Sequence, residues 1–331
     1  MKLHPINSPI DLHTPIQRAF LSDANENCKQ YADGFSPADA PLPVTLSWDA
    51  DAPGPYTVRL SENADLSGAR VFTTDVPTLD VYNLKIGTRY FFTVNEETPG
   101  SFTTADAAPR NLSVGGVMNV RDLGGWKTVD GKRVRQGLLF RTSALDYYNE
   151  DEKRMKPLVD AEGIKTLKDT LGVKTEIDLR VDHDGDRGFP PEGKTESVLG
   201  AGVNYLRCPI LLGPENYLNS IDSLRTIFKT LSEPQNYPVF YHCAVGADRT
   251  GSISYLILGL LGVSAADMMR DYMWTNFSNL QRYRRPINVG YKVTLDETAG
   301  DTMQEKVRRV LSETIGIPEA ELDRIAAFLT E

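Results

Sequence analysis

The stretch that decides the fold is VFYHCAVGADRTGSISYLILGLLG, residues 239–262. Its opening residues are mostly apolar and predict a buried strand, and a helix with an almost wholly apolar face is predicted to begin at about Thr250. Between them lies a glycine-bearing loop in which Cys243 and Arg249 are separated by five residues. The sequence therefore predicts that a strand, a loop and a helix N-terminus meet at Cys243.

A loop of this kind is typical of an anion site, because backbone N–H groups that turn inward at a helix N-terminus surround a tetrahedral oxyanion. The positive potential also stabilises a thiolate, so Cys243 is predicted to be an ionised nucleophile at neutral pH. Arg249 carries a planar donor fork that binds two phosphoryl oxygens at once. The predicted phosphate loop consists of Ala244, Val245, Gly246, Ala247, Asp248 and Arg249.

Two smaller residues complete this predicted site. Gly246 lets the backbone turn without placing a side chain on the phosphate. The Thr250 hydroxyl is predicted to donate to the thiolate and to ease its departure in the second chemical step. The catalytic residues predicted from the loop are therefore Cys243, Arg249 and Thr250.

Residues 242–251 carry the signature of the protein tyrosine phosphatases, His-Cys-x5-Arg followed by Ser or Thr. Three further motifs occur in order, NVRDLGG at 119–125, GLLFRTSAL at 137–145 and IDLR at 177–180. With these motifs the chain resembles a bacterial family of tyrosine and phosphoinositide phosphatases. The resemblance implies an α/β fold with a tyrosine-phosphatase-like central sheet flanked by helices. It also implies hydrolysis of phosphate monoesters through a phosphocysteine, without metal or cofactor.

The substrate implied by the resemblance is a phosphorylated protein, with phosphotyrosine favoured, or a small phosphomonoester. Several family members have a lysine where this chain has Ala247, which weakens the case for phosphoinositides and inositol phosphates as alternative substrates. Basic residues further along the chain are able to compensate, although a solvated charged face is favoured for them: Arg282, Arg284, Arg285 and Lys292. A catalytically weak phosphate-binding module and redox or sulfur-transfer chemistry at the same thiol are further alternatives.

Expulsion of an alkoxide or phenolate requires a proton donor. The Trp-Pro-Asp triplet that supplies it in many tyrosine phosphatases does not occur in this chain. Asp248, inside the loop, is favoured as the acid. Asp182, Asp184 and Asp186 are the alternatives, because they lie on an irregular stretch able to reach the site.

Three charged residues in the shared motifs, Arg121, Asp122 and Arg180, are candidate substrate contacts, although a charged residue beside a strand end usually forms a structural pair. His242 is predicted to order the loop through hydrogen bonds, since an ionised thiol needs no base. No metal site is predicted, because the chain has four histidines and none shows ligand spacing.

The composition of the chain limits the kinds of partner that it is expected to bind. A chain of 331 residues suits roughly two domains, and a net charge of -9 argues against nucleic acid as a partner. The longest nearly unbroken apolar run, residues 255–263, is about half of the ~20 residues that span a bilayer, so no transmembrane segment is predicted. Three cysteines are too few for a disulfide scaffold. The oligomeric state is not indicated.

The predicted organisation is an N-terminal arm (1–38), a small all-β sandwich domain (39–106) and a cysteine-dependent phosphatase domain (107–331). The sandwich is predicted from short runs of β-type composition between turn signals. It resembles a fibronectin type III module in the segment LKIGTRYFFTV, at Leu84, Gly87, Thr88, Tyr90, Phe92 and Val94. Residues 1–20 contain no apolar h-region. The expectation is a soluble bacterial protein, with export to the periplasm or cell envelope by a signal peptide absent from this chain left open.

Overall fold

The structure is a computed structural model that describes residues 2–23, 28–181, 189–190, 193–211 and 220–331. The chain divides into two compact units, of which the first comprises Met1–Arg18 and Ala40–Ser113 and the second Ala19–Asp39 and Val114–Glu331. The arm expected at residues 1–38 is thus shared between the two units. The alternative acids Asp182, Asp184 and Asp186 lie outside the described residues.

The described strands are β1 (Lys2–Leu3), β2 (Val44–Asp49), β3 (Tyr56–Ser61), β4 (Arg70–Thr74), β5 (Thr78–Val81), β6 (Arg89–Val94), β7 (Thr98–Thr103), β8 (Arg110–Asn111), β9 (Arg121–Asp122), β10 (Leu139–Thr142), β11 (Asp146–Asn149), β12 (Arg154–Pro157), β13 (Thr175–Asp178), β14 (Asn204–Arg207) and β15 (Val239–His242). The described helices are α1 (Pro15–Ser22), α2 (Ala161–Lys165), α3 (Ile221–Leu231), α4 (Asp248–Leu260), α5 (Ala265–Trp274), α6 (Lys292–Glu297), α7 (Met303–Arg309) and α8 (Glu319–Leu329).

The first unit contains two antiparallel sheets, with the strand orders β1-β2-β5 and β4-β3-β6-β7. Strand β2 shows why the sequence forms them, since Val44, Leu46 and Trp48 are buried while the residues between them are exposed or half-buried. This alternation turns one face of the strand toward a core. The all-β region predicted ahead of the α/β domain is therefore present.

The second unit is built on an α/β sheet, as predicted. Within it β14, β13, β15, β10 and β9 lie side by side in that order, and the first four are parallel. The register pairs both Thr142 and Asp178 with His242, so β10, β13 and β15 end side by side. Ligands bind at the carboxyl edge of such sheets. Cys243 is the first residue beyond this edge.

Helix α4 follows directly and is the apolar helix that the sequence predicts. Every residue from Arg249 to Leu260 is buried, because α4 packs on β10 and β15 and against α5 and α7. A helix that is apolar on all sides is typical of a core position. No helix in the described part of the chain is both long and apolar enough to cross a membrane.

The polar stretch from about Glu150 to Leu171, which the sequence suggests is helical, is a helix only in its second half. A β11–β12 hairpin occupies its first part, and Lys153 in the turn has a φ of 49°, outside the helical region. Helix α2 begins only after Asp160, whose side chain accepts a hydrogen bond from the Gly163 N–H, and a π-helical turn continues it over Thr166–Thr170. Polar composition alone did not distinguish the hairpin from a surface helix.

Residues 19–23 and 28–39 contribute to the core of the second unit. The ring of Phe20 lies against Trp274 and Phe277, with centroids 5.9 and 5.7 Å apart. The Asp39 carboxylate accepts a hydrogen bond of 2.8 Å from the backbone N–H of Asn119. This N-terminal segment therefore packs in the unit that contains Cys243, although the sandwich separates them in sequence.

Candidate active site

Cys243 lies at the end of β15, is 2% exposed and forms no disulfide. The other two cysteines, Cys28 and Cys208, are also buried and free. Burial raises the pKa of each of these two thiols to about 12. Both therefore remain neutral thiols at physiological pH, and neither is suited to act as a nucleophile.

The loop after Cys243 holds a group of backbone donors without partners. The N–H groups of Ala244, Val245, Gly246 and Ala247 donate no hydrogen bond to any described part of the protein, although most of the loop is buried. Buried backbone N–H groups are almost always paired. Helix α4 begins at the next residue and adds the positive end of its dipole. The missing partner that suits these donors is an anion.

Gly246 is required by the shape of this loop. Its φ is 69°, and a Cβ atom there would lie 2.5 Å from the carbonyl oxygen of Thr142. The Gly246 carbonyl oxygen accepts hydrogen bonds of 2.9 Å from Asn119 Nδ2 and from Arg141 Nη2. These bonds hold the carbonyl group against the protein and away from the site of an anion.

Arg249 and Thr250 lie on the first turn of α4 below the loop. Arg249 is 2% exposed, and its Nη1 lies 3.4 Å from the carbonyl oxygen of Leu179. Thr250 is fully buried, and its Oγ1 has no hydrogen-bond partner among the described residues. A buried hydroxyl costs free energy when it is unpaired. It makes no hydrogen bond to Cys243 Sγ in this structure, so its donation to the thiolate stays a prediction, and it is available to a group that enters the loop.

A buried ion network supports the loop from behind. Asp271 on α5 contacts Arg121 Nε at 3.0 Å and Arg141 Nη1 at 2.6 Å, and none of the three side chains is more than 1% exposed. Burial raises the pKa of Asp271, but the charges of Arg121 and Arg141 outweigh it and hold the pKa below its ordinary value. Arg121 also donates to Asn119, so two of the residues that position the loop depend on this network.

We predict that Asp271→Asn destabilises the protein by about 3–5 kcal/mol, because two buried guanidinium groups lose their counter-charge. Urea unfolding at pH 7 measures the difference in the free energy of unfolding. Asp296→Asn on α6 is the control, because the Asp296 side chain is 53% exposed in its ion pair, and it should destabilise the protein by less than about 1 kcal/mol. The folded pKa of Asp271 is depressed from 3.8, so its contribution is complete above about pH 5 and is lost as the pH falls. Equal costs for the two variants would contradict this.

The candidate substrate contacts from the shared motifs are engaged within the protein. The guanidinium of Arg121 is bound to Asp271 and Asn119. Asp122 is fully buried and accepts from the N–H groups of Gly124 and Gly137 at 2.8 and 2.6 Å.

Arg180 is also fully buried, in ion pairs with Asp178 and Asp146 at 2.6 and 2.8 Å. Arg121 and Arg180 thus form structural ion pairs of the kind that the sequence left open, and Asp122 is bound by backbone N–H groups. All three side chains are at most 1% exposed, and their contact with substrate stays a prediction.

His242 is held between two oxygen atoms. Its Nε2 lies 3.0 Å from Glu176 Oε1, and its Nδ1 lies 3.2 Å from the carbonyl oxygen of Cys243. The ring is fully buried. His242 thus links strand β13 to the backbone of Cys243, which is the arrangement expected of a residue that orders the loop.

Glu176, Asp178 and His242 bring possible metal-ligand atoms within 4.8 Å of one another. The surrounding contacts do not fit a metal ion, because Arg180 lies 2.6 Å from Asp178 and Lys194 lies 3.4 Å from Glu176. Burial raises the pKa of Asp178, but the charges of His242 and Arg180 reverse the shift and lower it. Cationic side chains neutralise these carboxylates without any metal.

Asp248, the favoured acid, forms a two-pronged ion pair with Arg284. Arg284 Nε and Nη2 lie 2.7 and 2.9 Å from the two carboxylate oxygens, and Arg282 Nη2 lies 3.5 Å away. The Asp248 side chain is 17% exposed. A protonated Asp248 would give up one of the bonds from Arg284. Arg284 itself is buried and not part of a solvated charged face.

A cysteine and an arginine around a loop of unpaired N–H groups, at the junction of a parallel strand and a helix, define the class of cysteine-dependent phosphatases. Residues 112–331 match the sequence profile of the tyrosine phosphatase family. The chain belongs to this family. The match begins after the β-sheets of the first unit, which it does not cover.

Two curated relatives match part of the chain. One is a candidate tyrosine-protein phosphatase of Cupriavidus necator, 27% identical over 200 residues that cover 52% of this chain and 65% of the relative. The other is a tyrosine-protein phosphatase of Nostoc commune, 29% identical over 118 residues that cover 31% of this chain and 40% of the relative. The chain thus spans less than two thirds of the length of both.

Solved structures overlap the chain more loosely. The catalytic core of the PP-IP phosphatase Siw14 from S. cerevisiae, in complex with citrate, is 16% identical, with a TM-score of 0.33 over 54% of this chain and 90% of its own. TpbA of P. aeruginosa in complex with pTyr is 16% identical, with a TM-score of 0.32 over 53% of this chain and 89% of its own. Identities and TM-scores this low give no information about the substrate.

Sequence reasoning missed the residues that support the loop. Asn119 and Arg141 lie in the motifs NVRDLGG and GLLFRTSAL. The motifs mark both residues, but they do not indicate that the side chains support the loop. Glu176 and Asp271 lie outside every motif that was quoted. Their function depends on contacts across the fold, for which the local sequence carries no signal.

Proposed function

We propose that this protein hydrolyses phosphate monoesters through a phosphocysteine on Cys243, with phosphotyrosine as the favoured substrate. The observation that carries the proposal is the set of unpaired backbone N–H groups over residues 244–247, directly after a buried free thiol and before a helix. A phosphate group supplies the oxygen acceptors that these donors lack. Membership of the tyrosine phosphatase family supports the same reaction.

In the first step the Cys243 thiolate attacks phosphorus, the S–P bond forms and the bond to the leaving oxygen breaks. Arg249 holds two phosphoryl oxygens and follows their charge into the transition state. Asp248 transfers its proton to the leaving oxygen. In the second step water gives a proton to Asp248 and attacks phosphorus, and the S–P bond breaks. The Thr250 hydroxyl donates to the departing thiolate, which releases inorganic phosphate and restores the enzyme.

The test uses the full chain with p-nitrophenyl phosphate, a phosphotyrosine peptide and the matched phosphoserine peptide at neutral pH. We expect release of phosphate that EDTA does not reduce, and a higher kcat/KM for the phosphotyrosine peptide. Acid quenching during turnover should trap phosphate on the protein, and peptide mapping should locate it at Cys243. Turnover without a trapped phosphoprotein, or turnover abolished by EDTA, would contradict the mechanism.

Asp248→Asn tests the identity of the acid. We expect kcat for phenyl phosphate, whose leaving group is poor, to fall by about 10²–10⁴-fold, because the proton donor is lost. For 2,4-dinitrophenyl phosphate, whose phenolate leaves unaided, the loss should be small. Steady-state kinetics on both substrates measure the contrast. If both slow equally, Asp248 acts only through its ion pair with Arg284, and Asp182, Asp184 and Asp186 become the candidates.

For residues 39–106 we propose a fibronectin type III-like sandwich, followed by the phosphatase domain at 107–331. The two antiparallel sheets of the first unit support this, as does the corner at Tyr90. The hydroxyl of Tyr90, on β6, accepts a hydrogen bond of 2.8 Å from the N–H of Lys85, a tyrosine corner of the kind found in such sandwiches.

Tyr90→Phe should lower the stability of the first unit and leave phosphatase activity unchanged.

A further inference from the structure

A basic pocket lies next to the phosphate loop. It has a volume of about 360 Å³ and is formed by one segment, whose lining residues are Arg282, Tyr283, Arg284, Arg285, Ile287 and Asn288. Asp248 of the phosphate loop connects the two sites, because its carboxylate contacts both Arg284 and Arg282. A group bound in the pocket is therefore near an anion bound in the phosphate loop.

The three arginines of the pocket have different roles. Arg284 is buried, and its guanidinium is used by the two-pronged pair with Asp248. Arg282 is 69% exposed and reaches Asp248 only at 3.5 Å. The exposed Arg285 makes no side-chain hydrogen bond or ion pair within the described part of the chain. Two guanidinium groups thus stay open to solvent after the one carboxylate is satisfied.

This local excess of positive charge contrasts with the whole protein, which has a net charge of -9. Acidic residues elsewhere repel a polyanionic substrate, and a positive cleft beside the site offsets that repulsion locally. The phosphate that is hydrolysed is already provided for by the loop and Arg249. Two further arginines suit a second negative group, since each fork matches a carboxylate or phosphate.

We propose that Arg282 and Arg285 bind a second anionic group of the substrate, a phosphate or a carboxylate, while its scissile phosphate occupies residues 243–249. The inference rests on the proposed function and narrows its substrates to molecules that carry two anionic groups. Arg284 is a positioning residue in this arrangement, because its bonds to Asp248 fix the segment that carries Arg282 and Arg285 beside the phosphate loop. The pocket volume of about 360 Å³ is ample for one such group.

The test compares two matched pairs of substrates. One pair is inositol 1-phosphate and inositol 1,4-bisphosphate. The other is a phosphotyrosine peptide with alanine neighbours and the same peptide with glutamate neighbours. For each enzyme variant the ratio of kcat/KM within a pair is measured, so that any common effect on the loop cancels. The pair that responds identifies the source of the second anion.

We expect the wild type to prefer the doubly anionic member of at least one pair, and Arg282→Ala/Arg285→Ala to lower that ratio about tenfold. Arg324→Ala on α8 is the control, because it removes an equally charged side chain that is 50% exposed and lies outside the pocket. The control should keep the wild-type ratio. High salt should weaken the preference of the wild type but not that of the double variant.

The result separates two failures. If the wild type hydrolyses p-nitrophenyl phosphate but both ratios are the same in wild type and double variant, the second anion site is wrong and the proposed function stands. If no phosphate ester is hydrolysed, the proposed function is wrong. In that case calorimetry measures the affinities of the wild type and the double variant for inositol 1-phosphate and inositol 1,4-bisphosphate. The inference is overturned if the double variant binds both compounds as tightly as the wild type does.

Discussion

Cys243→Ser should lower kcat by at least about a thousandfold, because a serine hydroxyl is hardly ionised where a thiolate would attack. Phosphate release from p-nitrophenyl phosphate measures the loss. The fold should be kept, since the replacement is nearly isosteric at a position that is 2% exposed. Retention of more than a few per cent of the wild-type rate would exclude a phosphocysteine intermediate.

Cys208→Ser is the matched control for this experiment. Cys208 is a buried free thiol in the same unit, 1% exposed, and burial raises its pKa to about 12. It cannot supply a thiolate at neutral pH, so its loss should leave kcat near that of the wild type. A comparable loss of activity in both variants would point to damage of the core and not to removal of the nucleophile.

Arg249→Lys should lower kcat by about 10²–10³-fold and leave KM nearly unchanged. One ammonium group replaces a planar fork whose two bonds tighten as charge develops on the phosphoryl oxygens. An interaction made mainly in the transition state is lost from kcat. Steady-state kinetics with p-nitrophenyl phosphate measure both constants, and Arg324→Lys on α8 should change neither.

Two results would contradict this role for Arg249. An increase in KM alone would show that the side chain binds substrate and transition state equally. A large fall in melting temperature would show that Arg249 is needed mainly for packing, since it is 2% exposed and lies near the Leu179 carbonyl group. Thermal unfolding of both lysine variants distinguishes these cases from loss of catalysis.

Much of the fold was predictable from periodicity. Strand β15 and helix α4 were expected from the apolar runs on either side of Cys243, and β13 and α3 were also expected near their observed positions. The first half of the stretch from Glu150 to Leu171 was not, because its polar residues suit both a surface helix and the half-buried β11–β12 hairpin. The hairpin depends on a turn at Lys153 with positive φ, which lysine rarely adopts.

The chemistry proposed here was determined by sequence alone as far as it is local. Cys243, Gly246, Arg249 and Thr250 lie within one turn and one helix N-terminus, so their spacing already restricts them to a single loop. Contiguous residues share a backbone conformation, which is why a short motif carries this information. The family resemblance and the position of Asp248 inside the loop predicted it as the acid, and this stays a prediction.

Only the tertiary structure decided what surrounds that loop. Asp271 lies 150 residues from Arg121 and 130 from Arg141, and Arg284 lies 36 residues from Asp248. These ion pairs form because sheet order and helix packing bring distant segments together, and a buried charge is stable only when such a partner is present. Local periodicity records which face of an element is buried but not which charge it meets there. The support of the loop and the basic pocket beside it therefore follow from the fold.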